Sequence, residues 1–415
     1  MSYTNALSPK LAQRGIIIYY GEYPCNGSWP NRIKNISKIF ELLNFDYKIL
    51  IPYPPQTGES IISSRDNVLR LLGITHKKTG QVRKLFLYAN GILRSYKYVK
   101  SQSHLDFVLF AGGSFVICYP ILRICKRKSI KVCIDIVDEN SKKFEANKSL
   151  RDYLAIYNKD LFDRWLIPKF DKVLVISDFL LNKYKKISKN IIIQKSIPSI
   201  IDLEEFDKNS KRTVFSKNSE LNQLVDDKRL KVLYAGSAVR PNGILFVLDC
   251  AAELIIKYKY DFLIIIILLL GDKERLLQHA IKLGIEKNLL LLNRQNQDDL
   301  PAIYKQCDIL FLPEHGNVIA NAGFPGKTAE LLASGKPIIS TVFSDLEMYL
   351  INGENALLSA IGDNVTYTSN LRKLLDDSHL RNKIGAAGRL TAEYGCDYKS
   401  CTSIFTDLIS GNLSE

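Results

Sequence analysis

Short apolar runs recur along the first half of the chain and alternate with lysine-rich segments of helical spacing. The runs read GIIIYYG (15–21), YKILIPY (47–53), LDFVLFAG (105–112), IKVCIDIVD (130–138), DKVLVIS (171–177) and NIIIQKSIP (190–198). Runs of this length and composition are typical of strands buried on both faces. Their alternation with helices predicts a parallel sheet covered by helices on both sides.

A second series of the same kind follows Leu230. Its strands read KVLYAGS (231–237), DFLIIIILLLG (261–271), NLLLLN (288–293), DILFLP (308–313) and KPIIST (336–341). The pattern predicts an α/β fold with two Rossmann-like, doubly wound domains. A cleft between the carboxyl ends of their sheets is where such folds bind ligands.

The predicted boundaries follow these two series. Residues 1–201 form the N-terminal domain and residues 230–395 the C-terminal domain. Residues 202–229 are highly charged and poor in large apolar side chains, so they are predicted to be a linker or an exposed edge. Residues 396–415 are predicted to form a helix that packs back toward the N-terminal domain.

The run FVLFAGGSFVICYPILRIC (107–125) is long enough to be mistaken for a membrane span. Gly112-Gly113, Pro120 and Arg123 interrupt it, which favours a strand, a turn and a helix over a transmembrane helix. The polar start of the chain lacks the apolar segment of a signal peptide, so export is not expected. The eight scattered cysteines contain no CxxC pair and are expected to be reduced thiols in a cytoplasm.

The net charge of +14 is concentrated in the first half of the chain. Residues 1–200 contain 33 lysines and arginines against 15 aspartates and glutamates, whereas residues 201–415 contain 24 against 28. A positive field on one half predicts a polyanionic partner: nucleic acid, an anionic membrane face or a phosphorylated lipid. A general preference for lysine in the source genome explains the charge equally well.

The segment RKLFLYANGILRSYKYVK (83–100) interleaves aromatic and aliphatic residues with five basic ones. Such a helix can lie on an anionic leaflet with its apolar face down. A helix packed on the sheet, with its lysines extended to solvent, is the favoured alternative for this segment. No nucleic-acid module accompanies the charge, so nucleic acid is not expected as the partner.

The most informative stretch is AGFPGKTAELLASGKPIIS (322–340). Proline is favoured at the first helical position and glycine after the last, so a helix is predicted from Pro325 to Gly335. The backbone N–H groups at its start would face the cleft and bind phosphate. These groups belong to Gly323, Phe324, Gly326 and Lys327.

Lys327 and Glu330 lie one turn apart on one face of that predicted helix. The lysine can hold a diphosphate, and the glutamate can accept two hydrogen bonds from a ribose diol. An ordinary surface ion pair is the alternative. A second loop, YAGSAVRPNGILFV (234–247), also joins a strand to a helix, and its candidate ligand-binding residues are Gly236, Ser237, Arg240, Asn242 and Gly243. Arg240 could bind the same diphosphate with two hydrogen bonds, or the loop could be a tight turn with an exposed arginine.

With these motifs the chain resembles the retaining GT-B glycosyltransferases of family 4 over nearly its whole length. The resemblance is strongest from Lys231 to Leu358, where YAGS, LLLGD, LPAIYKQCDILFLP, GFPGKTAELLASGKPIIS and YLINGENALL occur in the family's order. The loop CNGSWP (25–30) resembles the family's glycine-bearing first loop, which makes Gly27 a candidate acceptor contact. Asp138 and Glu139 end a predicted strand and are the other candidates for the acceptor.

The resemblance implies a UDP- or GDP-sugar donor in the C-terminal domain and a glycan acceptor in the N-terminal domain. The positive charge of the N-terminal half favours an acceptor at the membrane, such as a polyprenyl-diphosphate-linked sugar. It implies retention of anomeric configuration and no required metal or other cofactor. Lys327, Arg240 and Glu330 become the catalytic candidates, and Pro325 and Asn321 join the donor-binding ones. The expected location is cytoplasmic, on the inner face of the plasma membrane.

The chain departs from the family pattern at the residue before Gly323. The family has two glutamates eight residues apart; Glu330 matches the second, but Ala322 stands at the first. Glu314, Asn317 and Asn321 are candidates to replace it. A branch of the family found in polysaccharide gene clusters has a similar FP.K..E helix. The alternative is a catalytically decayed nucleotide-sugar-binding or scaffold protein of the same pathway; an epimerase is disfavoured because its acid and base residues are not evident.

Overall fold

The computed structural model describes residues 13–21, 23, 27–52, 67–71, 80–139, 149–187, 199–214, 219–238, 242–314 and 323–410. The predicted strand at 190–198 lies outside these residues. Among the described residues, seven cysteines are present as free, buried thiols. No helix of the described ranges has the length and apolar character needed to cross a membrane.

The N-terminal domain is built on a six-stranded parallel sheet in the order β3-β2-β1-β4-β5-β6. Its strands are β1 (Arg14–Tyr19), β2 (Asp46–Ile51), β3 (Val68–Arg70), β4 (Phe107–Ala111), β5 (Lys131–Ile136) and β6 (Lys172–Val175). The order reverses between β1 and β4, which makes the space beyond their carboxyl ends the topological switch point.

Helices cover both faces of this sheet. They are α1 (Ser28–Leu42), α2 (Gln81–Ser101), α3 (Phe115–Arg127), α4 (Leu150–Leu161) and α5 (Asp178–Lys185). The apolar run at 107–125 is a strand, a turn and a helix, as predicted. At the turn, Gly112 adopts φ +72°, and a Cβ there would lie 3.1 Å from the Trp29 ring, so a side chain would be both strained and crowded.

The C-terminal domain repeats the design with the strand order β12-β11-β10-β7-β8-β9. The strands are β7 (Leu230–Ala238), β8 (Phe262–Gly271), β9 (Leu289–Leu292), β10 (Ile309–Leu312), β11 (Ile338–Thr341) and β12 (Leu357–Ser359). The helices are α8 (Asn242–Ala252), α9 (Lys273–Leu283), α10 (Leu300–Gln306), α11 (Thr328–Ala333), α12 (Asn364–Asp376) and α13 (Ser378–Gly395). Two doubly wound parallel α/β domains therefore face each other, as the apolar pattern predicts.

The segment expected to be a linker or an exposed edge contains two helices, α6 (Leu203–Ser210) and α7 (Ser219–Asp226). Leu203 and Phe206 of α6, and Leu221 and Leu224 of α7, are buried in the C-terminal core. Each helix places two apolar residues three positions apart on one face. Such a pair is enough to dock a short helix, although the segment as a whole is polar.

After α13 the chain returns to the N-terminal domain and forms α14 (Thr402–Ser410). Phe405 and Leu408 of α14 are buried in the core beneath α1, and the Phe405 ring meets the Phe40 ring edge-on at 6.1 Å. The outgoing segment, which leaves the N-terminal domain at Ile201, and the returning segment, which comes back at Asp397, run side by side. Ile201 and Asp397 form a parallel bridge between them.

Candidate functional site

A cavity of about 470 Å³ lies between the two domains at the carboxyl ends of both sheets. The N-terminal wall includes Gly27, Trp29 and Arg32, from the loop after β1 and from α1. The C-terminal wall includes Arg294, Gln297, Phe324, Gly326, Lys327 and Glu330. The predicted cation Lys327 and the predicted carboxylate Glu330 therefore line one chamber, and Arg32 lines it from the opposite domain.

Glu330 is the most unusual group in this chamber. It lies in the first turn of α11, where its Oε1 accepts a hydrogen bond of 2.7 Å from Gln297 Nε2. Its Oε2 is buried and has no hydrogen-bond partner in the protein. Burial raises the pKa of Glu330 to about 7, against the opposing effects of Lys327, Gln297 and Tyr304. Glu330 lines the cavity, and a carboxylate oxygen left without a hydrogen-bond partner there is a site for a ligand with hydroxyl donors.

Lys327 immediately precedes α11, and its Nζ donates a hydrogen bond to the Ala235 carbonyl at the end of β7. Burial lowers the pKa of Lys327 to about 8, although the nearby Glu330 carboxylate opposes this shift. Within the described part of the chain, the ammonium bonds to this carbonyl rather than to Glu330. The two groups are therefore not the surface ion pair that was the alternative interpretation.

The helix begins three residues later than the sequence pattern predicts. Pro325 precedes it, and the Pro325 carbonyl accepts hydrogen bonds from both the N–H (3.0 Å) and the Oγ1 (2.8 Å) of Thr328. These bonds close a turn over residues 325–328, so α11 begins only at Thr328. Gly335 follows the helix at φ +67°, as predicted for a glycine that ends it.

The turn before α11 is held from both domains. Ser199 Oγ of the N-terminal side donates a 2.8 Å hydrogen bond to the Gly326 carbonyl. On the C-terminal side, Ser344 Oγ donates a 2.6 Å hydrogen bond to the Gly323 carbonyl, and the Phe324 ring packs edge-on against Tyr349 at 5.3 Å. The backbone that carries Lys327 is therefore fixed relative to both walls of the cavity.

The second predicted loop lies beside this turn. Gly236 and Ser237 flank a bulge near the end of β7, and Tyr234 Oη donates a 2.9 Å hydrogen bond to the Ser237 carbonyl. Asn242 begins α8, and a Cβ on Gly243 would lie 3.2 Å from the Pro313 carbonyl oxygen. This close approach explains a small residue at position 243. Arg240 lies outside the described residues, as do Asn317, Asn321 and Ala322; the backbone of Glu314 is hydrogen-bonded to Thr341.

Of the three acceptor candidates, Gly27 lines the cavity and the two acidic residues do not. Asp138 is exposed. Glu139 is buried, and its carboxylate pairs with Lys183, which also bonds to Asp163 at 2.6 Å. The Glu139 carboxylate is thus paired with Lys183 inside the N-terminal domain. The short motif IDIVDEN does not indicate this ion pair.

The structure adds a charged pair that the sequence does not indicate. Arg32 donates two hydrogen bonds to the Asp135 carboxylate, Nε to Oδ2 at 2.7 Å and Nη2 to Oδ1 at 3.0 Å. Both side chains are buried, with Arg32 in the cavity wall and Asp135 at the end of β5 behind it. The two residues lie 103 positions apart in the chain, so no local sequence pattern indicates their contact. Only the fold brings them together. Across the described residues, no group of three or more potential ligands is arranged to hold a metal ion.

Comparison with known proteins identifies a related family. Residues 216–391 match the family described as Glycosyl transferases group 1. Over 106 residues the chain is 28% identical to D-inositol 3-phosphate glycosyltransferase of Corynebacterium efficiens, covering 26% of this chain and 24% of that protein. Over 234 residues it is 23% identical to the uncharacterized glycosyltransferase MJ1178 of Methanocaldococcus jannaschii, covering 55% and 56%. The chain thus spans between about a quarter and about half of these relatives.

Solved structures match over nearly the whole chain. Sucrose-phosphate synthase from Thermosynechococcus elongatus aligns with a TM-score of 0.71 at 13% identity, covering 96% of this chain and all of that one. Anabaena Alr3699/HepE in complex with UDP and glucose aligns with a TM-score of 0.68, also at 13% identity and covering 96% and 100%. At this identity the similarity concerns the fold, which is the two-domain GT-B fold.

Proposed function

We propose, on the premise that residues 216–391 are a Glycosyl transferases group 1 domain within a GT-B fold, that this protein is a glycosyltransferase. In this proposal it transfers a sugar from a UDP- or GDP-linked donor, with retention of anomeric configuration. The acceptor is a glycan or a polyprenyl-diphosphate-linked sugar in surface polysaccharide synthesis, used at the cytoplasmic face of the membrane. The donor binds the C-terminal wall of the cavity, and the acceptor enters past Gly27.

The observation that carries this proposal is the free Oε2 of Glu330. A ribose diol offers two hydroxyl donors, and a carboxylate held on one oxygen by Gln297 can still accept from both hydroxyls. Hydrogen bonds to a charged group contribute about 1.5–3 kcal/mol each, so loss of the carboxylate should weaken nucleotide binding at least tenfold.

Lys327 supplies the positive charge for the donor's diphosphate in the same proposal. Its ammonium bonds to a backbone carbonyl in the free protein, and a diphosphate oxygen is a stronger acceptor for it. The bound anion would also raise the lowered pKa of Lys327 and keep the ammonium charged. Together with Arg240 it would neutralise the departing nucleoside diphosphate, which is the charge that develops in the transition state.

The alternative function is nucleotide-sugar binding without transfer. It is favoured by one feature, Ala322, which stands where the resemblance expects a carboxylate that contacts the donor sugar. Loss of that carboxylate would remove contacts to the sugar and leave the Glu330 and Lys327 contacts to the nucleotide intact. A decayed enzyme would therefore still bind UDP or GDP.

Calorimetric titration with UDP and GDP tests the site. Glu330→Ala should abolish binding, while Glu354→Ala, which removes an exposed carboxylate of the same domain, should bind as the wild type does. Unaltered nucleotide binding in Glu330→Ala would refute the site assignment. Slow hydrolysis of UDP- and GDP-sugars by the wild-type protein then separates the enzyme from the binding protein, because only the enzyme releases free sugar.

A further inference from the structure

Helix α4 exposes its apolar side to solvent. Leu150, Tyr153, Leu154 and Tyr157 follow the spacing i, i+3, i+4, i+7 and so form one stripe along the helix. These four side chains are between 60% and 77% exposed, and none of the twelve residues of α4 is buried. A surface helix normally turns such a stripe toward the core, so α4 is reversed relative to the usual arrangement.

The opposite side of α4 holds it in this orientation. Lys159 projects away from the stripe, pairs with Asp163 and donates a 2.6 Å hydrogen bond to Tyr184 Oη of α5. Tyr184 Oη in turn donates to Asp163 at 2.9 Å, and Lys183 bonds to Asp163 at 2.6 Å. Turning the stripe inward would break these ion pairs, which lie largely out of water. The exposed apolar stripe is therefore a fixed feature of the domain.

Two neighbouring helices extend this exposed area. α4 packs beside α3, and α3 packs beside α2. Large apolar side chains on α2 and α3 that are also exposed are Phe86, Leu93, Val116 and Tyr119. We call the outer faces of these three helices the α2–α4 surface.

The charge of the α2–α4 surface has one sign on two of its helices. Together α2 and α3 contain eight lysines and arginines and no aspartate or glutamate. The exposed basic residues include Arg83, Lys97, Lys100, Arg123 and Arg127. Two copies of this surface placed face to face would bring like charges together, which disfavours self-association. An apolar stripe beside an all-positive area instead complements an anionic lipid bilayer.

We propose that the α2–α4 surface docks on an anionic bilayer. The α4 stripe enters the boundary between headgroups and acyl chains, where tyrosine rings are favoured, and the basic residues of α2 and α3 meet the lipid phosphates. The proposal assigns the main membrane contact to α4 rather than to segment 83–100, the segment that the sequence pattern alone singles out. Only its consequence, delivery of a lipid-linked acceptor to the cavity, depends on the proposed function.

Vesicle flotation of the full chain tests this surface. The wild-type protein should float with phosphatidylcholine vesicles that contain phosphatidylglycerol, bind far less without the anionic lipid, and be released by high salt. Leu154→Glu with Tyr157→Glu should reduce the bound fraction at least about tenfold, because it places charges in the apolar stripe. Val365→Glu with Tyr394→Glu is the matched control: both side chains are 80% exposed on the C-terminal domain, and binding should be unchanged.

Three outcomes would overturn the proposal. The first is wild-type protein that does not float with anionic vesicles at low salt, and the second is undiminished flotation of the α4 double variant. The third is a dimer, detected by light scattering, that the α4 variant abolishes while vesicles are not bound, since the stripe would then cover a second copy. Thermal unfolding verifies that the variants fold. UDP titration of the same proteins reports separately on the proposed function.

Discussion

Glu330 is placed where its charge is costly in the free protein. Its carboxylate is buried, one oxygen has no partner, and burial raises its pKa from an ordinary 4.5 to about 7. Hydroxyl donors of a ligand would supply the missing hydrogen bonds. In the proposed role as a ribose contact, the residue would favour binding at the expense of stability, a compromise common at functional sites.

Glu330→Gln should make the protein more stable at about pH 8 while it weakens nucleotide binding. The folded-state pKa lies above the unfolded one, so the stabilising effect of the proton is complete below about 4.5 and is lost as the pH rises through about 7. The neutral amide avoids this loss, and we expect a gain of about 2 kcal/mol at pH 8 and little near pH 5.

Chemical denaturation at both pH values measures this difference. Glu354→Gln, in which an exposed carboxylate is replaced, serves as the control and should change stability by less than about 0.5 kcal/mol at either pH. A Glu330→Gln protein that is less stable than the wild type at pH 8 would mean that the carboxylate is satisfied in the folded state.

The Arg32–Asp135 pair leads to a second prediction. Arg32→Leu leaves the buried Asp135 carboxylate without its two hydrogen bonds and should cost about 3–5 kcal/mol of unfolding free energy. Adding Asp135→Leu should recover much of that loss, because two apolar side chains carry no desolvation cost. Lys126→Ala is the control: it breaks a solvent-exposed pair with Asp171 and should cost less than about 1 kcal/mol in urea unfolding.

If Arg32→Leu proves as mild as Lys126→Ala, water or a neighbouring group must compensate Asp135. A double variant no more stable than Arg32→Leu would instead indicate that the pair positions α1 against β5 specifically. Both results come from the same denaturation curves.

At the scale of elements, α13 approaches the end of α11 through two small residues. A Cβ on Gly385 would lie 2.2 Å from the Gly335 carbonyl oxygen, which a folded protein cannot accommodate without moving one helix. Gly385→Ala should therefore cost about 3 kcal/mol or more. Because α11 carries Glu330, its displacement should also weaken nucleotide binding.

Gly395→Ala on the same helix is the matched control for this prediction. A Cβ there meets nothing within 4 Å, so the change should be neutral or raise stability by up to about 1 kcal/mol. Thermal unfolding of the two variants compares them directly. Equal stability of the two would show that α13 can shift away from Gly335 freely.

Long apolar strands are what the sequence predicts best, because a run such as FLIIIILLLG, rich in isoleucine and short, is typical of a strand buried on both faces. Helix starts are predicted less well: Pro325 is a good first residue by local preference, yet the Thr328 hydroxyl closes a turn ahead of the helix. The partner of Glu330, Gln297, has no sequence signal, because contacts between distant residues follow from the fold and not from any period. The exposure of the α4 stripe also has no sequence signal. It depends on Lys159, which attaches the opposite side of α4 to Tyr184.

At the scale of the whole molecule, contacts between the two domains and the C-terminal helix α14 join the N-terminal and C-terminal parts of the chain. Asp345 Oδ2 accepts a 2.5 Å hydrogen bond from the Asp178 N–H at the start of α5, and Lys38 pairs with Asp202 at the outgoing segment. The returning segment then delivers α14 to the N-terminal core. The stability of the N-terminal domain should consequently depend on residues from the far end of the described chain.

Phe405→Ala tests this dependence. The side chain is fully buried against Phe40, so its removal should cost about 3–5 kcal/mol and should loosen the N-terminal domain before the C-terminal one. Leu390→Ala, at an exposed position of α13, should cost little. Urea unfolding gives the magnitudes, and limited proteolysis shows which domain is cut first; a variant cut first in the C-terminal domain would contradict the prediction.

The position of α14 also orders events during synthesis. The ribosome produces β1 to β6 early, but residues 402–410 only after every strand of both sheets. Until then, the apolar surface around Phe40 and Phe107 has no cover from α14. The domain that is synthesised first is thus the one whose core is completed last. A nascent chain halted before residue 402 would expose this apolar surface to chaperones and proteases.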